Sequence, residues 1–271
     1  MKLEDVLNPR WIDAKTLNSS YAAGDPFPHI VMEDFLNVEY LKAVADEFPD
    51  LKSCKTGTIK FSNNTQIKFA SKGMQLLTPS ALQLNSYLQS DAMLQWLNQI
   101  TGIEETLISD PYLAGGGYHE IKRGGMLKIH ADFAKHPLMD LDRRCNLIIY
   151  LNEDWEDDWG GGLELFGDDM SAPVQKVHPR FNTAVLFTTT AHTLHGHPDP
   201  LECPDDRSRR SLAYYYFSSG RPEGEAASDV HATNFKPRKD EKFAITVKSV
   251  LKEVTPPFLM KSVRNYIDNR R

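Results

Sequence analysis

The strongest constraint in this sequence is a change of texture at Asp110. Before it, apolar residues recur at helical spacing: Leu41, Val44, Ala45 and Phe48 fall at i, i+3, i+4 and i+7, one buried helix face. Asn37 is placed to cap that helix and Pro49 to end it. Further helical patterns run near 80–89 and 91–101, the second closed by Gly102. The segment PFPHIVMEDFL (26–36) reads as a short strand entering the first helix, and TGTIKFSNNTQIKFAS as a hairpin turning at Asn63-Asn64. After Asp110, apolar residues alternate or cluster in short runs near 117–122, 126–133, 145–151, 162–166, 183–188 and 210–217, separated by glycines, prolines and acidic turns. Helices first and many short strands afterwards predict an α+β chain, mainly β: a sandwich or barrel buttressed by N-terminal helices.

Composition adds boundaries rather than identity. At 271 residues, 41% hydrophobic and 25% charged, the chain has the make-up of an ordinary globular protein, neither disordered nor collagen-like. Its three widely spaced cysteines, Cys54, Cys145 and Cys203, form no C-x-x-C pair and suit a reducing compartment better than a disulfide scaffold. No basic leader followed by an apolar stretch opens the sequence, and no run approaches the roughly 18 apolar residues of a spanning helix, so a cytoplasmic location is expected. The net charge of -6 argues against a nucleic-acid partner but hides an asymmetry. Residues 236–271 hold ten Lys/Arg against four Asp/Glu, +6, which leaves -12 on residues 1–235. Three regions are expected: an N-terminal support (1–110), a β core (111–220), and a linker with a basic helical tail (221–271), all within one compact domain. The tail alternates apolar and cationic faces, the one feature that suggests a membrane surface as partner.

Chemistry concentrates in two segments. His130 and Asp132 lie two apart in the strand-like run LKIHADF, so their side chains share a face and converge on one point. An imidazole and a carboxylate are two thirds of the 2-His-1-carboxylate arrangement that binds ferrous iron with positions left open. Alone, H-x-D is weak and often an exposed turn. The segment AHTLHGHPDPL then supplies His192, His195 and His197, any of which completes the set, and fourteen residues after His195 Arg209 opens the strand RRSLAYYYF. Iron enzymes of this kind use 2-oxoglutarate, whose far carboxylate needs a cation. A guanidinium meets it with a planar fork that stays charged when desolvated. Alternation sets Arg209, Ser211, Ala213 and Tyr215 on one face, so Ser211 is placed to add a hydrogen bond beside that carboxylate.

In order and spacing, Tyr118, His130-x-Asp132, RCNLIIYLNEDWEDDWGGGLELF, VHPRFNTAVLF, LHGHP and R-x-S-L-x-Y-Y-Y resemble the iron(II)/2-oxoglutarate-dependent dioxygenases, in their prolyl 4-hydroxylase-like branch. The likeness spans Tyr118 to Phe217 and implies a double-stranded β-helix, or jelly roll. It implies that His130, Asp132 and His195 bind iron, that Arg209 holds the far carboxylate of 2-oxoglutarate, and that Tyr118 hydrogen-bonds the cosubstrate. His195 is preferred over His192 and His197 because Leu194 and the following Gly-x-Pro match the family's distal-ligand segment, and Arg209 over Arg210 because Ser211 follows at the second position. The implied reaction consumes O2, with ascorbate as a reductant, hydroxylates an unactivated C–H bond of a prolyl residue or a small molecule, and releases succinate and carbon dioxide. A carboxylate at Asp132, where halogenating relatives carry a small residue, favours hydroxylation. The segment between His195 and Arg209 is longer than in compact relatives and is expected to bulge near the site.

Other features read as structure. Gly160-Gly161-Gly162 precedes a strand and lacks a following Lys-Ser/Thr, so it is a close-packing turn rather than a phosphate cradle. EDWEDDW reads as a solvated acidic turn, with Trp155 and Trp159 as candidate substrate contacts at a site mouth. Neither a G-x-S-x-G elbow nor zinc-finger spacing occurs. Two rival readings stand beside the enzyme: a non-catalytic module that binds metal or 2-oxoglutarate on the same jelly roll, and a membrane-peripheral oxygenase acting on a small molecule or glycan.

Overall fold

A computed structural model describes residues 2–225 and 233–238. By its internal contacts the chain divides into two units, Met1–Lys236 and Pro237–Arg271. The first carries everything that follows; the helical tail expected beyond it lies outside the described residues.

Polar helix α1 (Ala14–Ala22) comes first, anchored through buried Ala14 and Tyr21. Strand β1 (His29–Met32) leads into α2 (Val38–Asp46), whose first turn is capped by the Asn37 side chain accepting from the Glu39 N–H. The hairpin β2 (Thr58–Ser62) and β3 (Gln66–Ser71) turns at the expected asparagines, where the Asn63 side chain accepts from the N–H groups of Thr65 and Gln66. Helices α3 (Pro79–Leu88) and α4 (Asp91–Thr101) follow, α4 ending on left-handed Gly102. Then come β4 (Gly117–Lys122), β5 (Met126–Ala131), β6 (Asp142–Tyr150), β7 (Leu163–Phe166), β8 (Pro173–Val177), β9 (Ala184–Thr188), β10 (Leu194–His197), β11 (Ser208–Ser218) and β12 (Asn234–Phe235). Among the described residues no helix is long and apolar enough to cross a membrane.

All ladders between these strands are antiparallel, in the order β1-β9-β6-β11-β4-β3-β5-β10-β7-β8, with β2 on β3 and β12 on β5. The path curls back so that β4, β11 and β6 face β5, β10 and β7 across one cavity, the double-stranded β-helix of a jelly roll. β3 closes one side by pairing with both β4 and β5. Alternation along each strand separates two environments. Leu147, Ile149, Leu212, Tyr214 and Tyr216 point outward, where Leu84, Leu88, Trp96, Leu97 and Ile100 of the helices cover them. Asn146, Ile148, Arg209, Ser211, Ala213 and Tyr215 point inward to the cavity. Each large side chain on the covered face contributes about 1.5–3 kcal/mol, so the helices stabilise the barrel from outside and leave its interior free for polar groups.

Three short strands escaped the sequence pattern: β8, β10 and the two-residue β12, which pairs with β5 from within the stretch expected as linker and tail. β10 reads HGH followed by Pro and looks like a loop, but its ladders with β5 and β7 make it a strand. Gly196 is what permits the fit: a Cβ there would lie 2.8 Å from the Leu127 carbonyl oxygen. β8 opens with a proline, which an edge strand tolerates because no neighbour needs its missing N–H.

Candidate metal centre and cavity

His130 and His195 are cross-strand partners on β5 and β10, with ring centroids 4.4 Å apart. Asp132, just past the end of β5, reaches both: Oδ1 lies 3.6 Å from His130 Nε2 and Oδ2 lies 3.5 Å from His195 Nε2. The three offer one ligand atom each, all within 4.8 Å of one another, and all three residues are buried. Both rings are oriented by their own strands. His130 Nδ1–H donates to the Lys128 carbonyl at 2.8 Å and His195 Nδ1–H to the Thr193 carbonyl at 3.0 Å, so each Nε2 lone pair faces Asp132. Burial, with His130 alongside, pushes His195 down to about 4, which keeps it a neutral ligand. Two imidazole nitrogens and a carboxylate oxygen gathered on one side suit ferrous iron with open positions.

The carboxylate is itself held. Asp132 Oδ2 accepts from Asn146 Nδ2 at 2.7 Å and Arg143 Nη2 at 3.0 Å, and Arg143 Nε donates to Asn146 Oδ1 at 2.7 Å. The guanidinium lies between rings, its Cζ 4.4 Å from the Phe133 centroid and 3.4 Å from that of Tyr215. Burial alone would raise the Asp132 carboxyl, but Arg143 and the two imidazoles override it and hold the group well below the usual carboxylate range. Sequence periodicity hides this pair. Arg143 and Asn146 are three apart, which a regular strand sends to opposite faces. A bulge at Arg144 in the β6–β11 ladder restores them to one.

At the other end of the cavity Arg209 is 5% exposed. Its Nε donates to the Gly161 carbonyl at 2.7 Å and its Nη2 to the Tyr150 hydroxyl at 3.1 Å. Gly161 (φ +72°) is the close-packing glycine: a Cβ would sit 2.6 Å from Leu201 Cδ2 and 3.0 Å from Arg209 Cδ. Ser211 faces the same cavity, in register with His119 on β4 and Tyr150 on β6. Arg210 points out of it, over the Phe48 ring.

Three expectations are corrected. Tyr118 does not face the cavity: on β4 the inward positions are His119 and Ile121, and Tyr118, fully buried on the opposite face, packs against Phe48 and bonds Thr78 Oγ1 at 2.8 Å. The segment 198–207 does not bulge. Leu201 and Cys203 are buried with Ile121 and Trp155, and Leu201 exchanges backbone hydrogen bonds with Gly124 and Gly125. Trp155 and Trp159 belong to that same cluster behind Arg209, not to a site mouth. Of the competing histidines, His192 is exposed and paired with Asp168 at 3.0 Å, while His197 is buried and lines the cavity without joining the ligand cluster. His119, which burial and then Lys68 push down to about 3, and Lys68, which burial lowers to about 8, line it too. Neither stands in a motif; β3 and β4 bring them in by closing the barrel.

Residues 116–217 match the sequence profile of the 2OG-Fe(II) oxygenase superfamily. No curated protein sequence matches the chain. Among solved structures it is similar to a prolyl-4-hydroxylase from Pseudomonas putida, at 19% identity and a TM-score of 0.53 over 76% of this chain and 100% of that one. It is similar also to a prolyl hydroxylase from Trichoplax adhaerens, solved with a peptide fragment of the hypoxia inducible factor oxygen degradation domain, at 17% identity and a TM-score of 0.57 over 77% of this chain and 91% of that one. At such identities the structures speak to the jelly roll; the profile match speaks to the enzyme class. In residues 116–217 the chain therefore carries a 2-oxoglutarate-dependent dioxygenase domain of the 2OG-Fe(II) oxygenase superfamily.

Proposed function

We propose that the enzyme hydroxylates an unactivated C–H bond of a peptide or small-molecule substrate, with His130, Asp132 and His195 as the iron ligands and Arg209 as the anchor for the far carboxylate of 2-oxoglutarate. The observation that carries this reading is the pairing, within one cavity, of a buried His-Asp-His cluster at one end with a buried guanidinium at the other. A ferrous ion and 2-oxoglutarate bound there supply the dioxygen chemistry that oxidises the substrate and releases succinate and carbon dioxide.

The protein's own part is preorganisation. Backbone carbonyls aim the two imidazoles, Asn146 and Arg143 fix the carboxylate, and Tyr150 with the Gly161 carbonyl holds Arg209 facing inward. Ser211, beside Arg209 on the inward face of β11, adds a hydroxyl donor for the same carboxylate. A prolyl residue in a peptide is the substrate suggested by the two structural neighbours, each named a prolyl hydroxylase.

The test is 2-oxoglutarate-dependent release of succinate and carbon dioxide by the iron-loaded protein, run against a panel of prolyl peptides and metabolites. Substrate-stimulated succinate is expected, with a loss of at least a thousandfold in Asp132→Ala; undiminished turnover in that variant overturns the ligand assignment.

A further inference from the structure

His197 is a buried polar group with no work in the machinery above. Its side chain is 3% exposed and faces the cavity, and neither ring nitrogen has a hydrogen-bond partner among the described residues. Buried imidazoles nearly always find partners, because an unmade hydrogen bond there costs about 1–3 kcal/mol. An apolar residue of similar size would fill the position without that cost.

Strand register says what the ring faces. His195, paired with His130 on one side and Leu165 on the other, lies in the metal row. His197 is two residues further along β10, about 6.6 Å at ordinary strand rise, opposite Leu127 on β5. On β7 the same step leads from Leu165 to Leu163, which also lines the cavity, and two residues more reach Gly161, whose carbonyl grips Arg209. His197 therefore stands between the metal row and the guanidinium. That interval is the one a dicarboxylate must cross if one end meets the metal and the other meets Arg209.

We propose that His197 is a further cosubstrate-positioning residue, its ring N–H donating to an oxygen of the 2-oxoglutarate carboxylate that Arg209 holds. This rests on the oxygenase reading of the site. It sets His197 apart from the metal ligands: it acts on the cosubstrate and not on iron.

The experiment is anaerobic titration of 2-oxoglutarate into the Fe(II)-loaded full-length protein, followed by its visible absorption band, with iron affinity measured separately in the absence of cosubstrate. His197→Phe, and His197→Leu as a second apolar variant, are expected to weaken 2-oxoglutarate binding about ten- to a hundredfold, with iron affinity unchanged. His197→Gln, which keeps an N–H donor, is expected to recover binding to within about threefold of the parent, a rescue that mere cavity filling does not produce. Parent-like cosubstrate binding in the apolar variants overturns the proposal, as does loss of iron along with cosubstrate. A parent protein that binds iron but no 2-oxoglutarate overturns the oxygenase reading instead, so the two failures are distinct.

Discussion

At the metal end of the cavity each ligand is locked from close by in sequence. His130 and His195 donate to carbonyls two residues earlier, and Asp132 accepts from Arg143 and Asn146, eleven and fourteen residues on. At the Arg209 end the guanidinium is gripped by Gly161 and Tyr150, 48 and 59 residues away, and backed by Leu201 across a loop. The first end rests on the β5–β10 pair and on the bulged strand β6, with each locking group close in sequence to the ligand it holds. The second exists only once three strands and the turn at 160–162 have assembled. Iron binding and cosubstrate binding should therefore fail separately, each under mutations at its own end.

The largest separation is expected at Asn146. Asn146→Leu removes an amide donor to the Asp132 carboxylate and the acceptor of Arg143 Nε. Iron affinity should fall about 10–100-fold, the usual cost of losing a group that orients a ligand. Cosubstrate affinity at saturating iron should change by less than threefold. A metal titration that finds iron affinity unaltered breaks the comparison at its stronger end.

Gly161→Ala probes the other end. Its Cβ would lie 2.6 Å from Leu201 Cδ2, closer than side chains pack, and press on Arg209 Cδ at 3.0 Å, and the positive φ strains any replacement. Stability should drop by about 1–3 kcal/mol, read by chemical denaturation, and 2-oxoglutarate affinity should fall about tenfold with iron binding intact. Weakened iron binding in this variant would show that the two ends are not independent.

Tyr118→Phe has the smallest expected effect and sharpens the boundary of the site. Its hydroxyl bonds Thr78 on the helix side of the barrel, so loss costs about 1 kcal/mol of stability. Cosubstrate affinity should be unmoved; a fivefold loss would restore the role that the family likeness implies for Tyr118.

The same contrast explains what was legible before the structure. His130 and Asp132 stand out because a two-residue repeat on a strand is enough to make them neighbours. The inward face of β11, from Arg209 through Tyr215, follows from that rule as well. Helix α2 with its Asn37 cap, the 63–64 turn and the Gly102 stop are local signals and appear where the sequence puts them. His195 needed the family pattern, since three histidines within six residues are equivalent until a ladder with β5 picks one. Tyr118 failed for the converse reason: its motif is familiar, but strand parity on β4 turns His119 and Ile121 inward instead. Arg143 and Asn146 were invisible because a bulge breaks the period, and Lys68 because β3 joins the cavity through pairings 49 to 61 residues along the chain.

The central claim is that one cavity holds ferrous iron on His130, Asp132 and His195 and 2-oxoglutarate on Arg209. Its most direct test compares the parent with Arg209→Met by anaerobic binding of Fe(II) and then 2-oxoglutarate. The account predicts one iron per chain in both proteins, and at least a hundredfold weaker cosubstrate binding in the variant. Cosubstrate binding indifferent to Arg209, or a parent protein that takes up no iron, would contradict it.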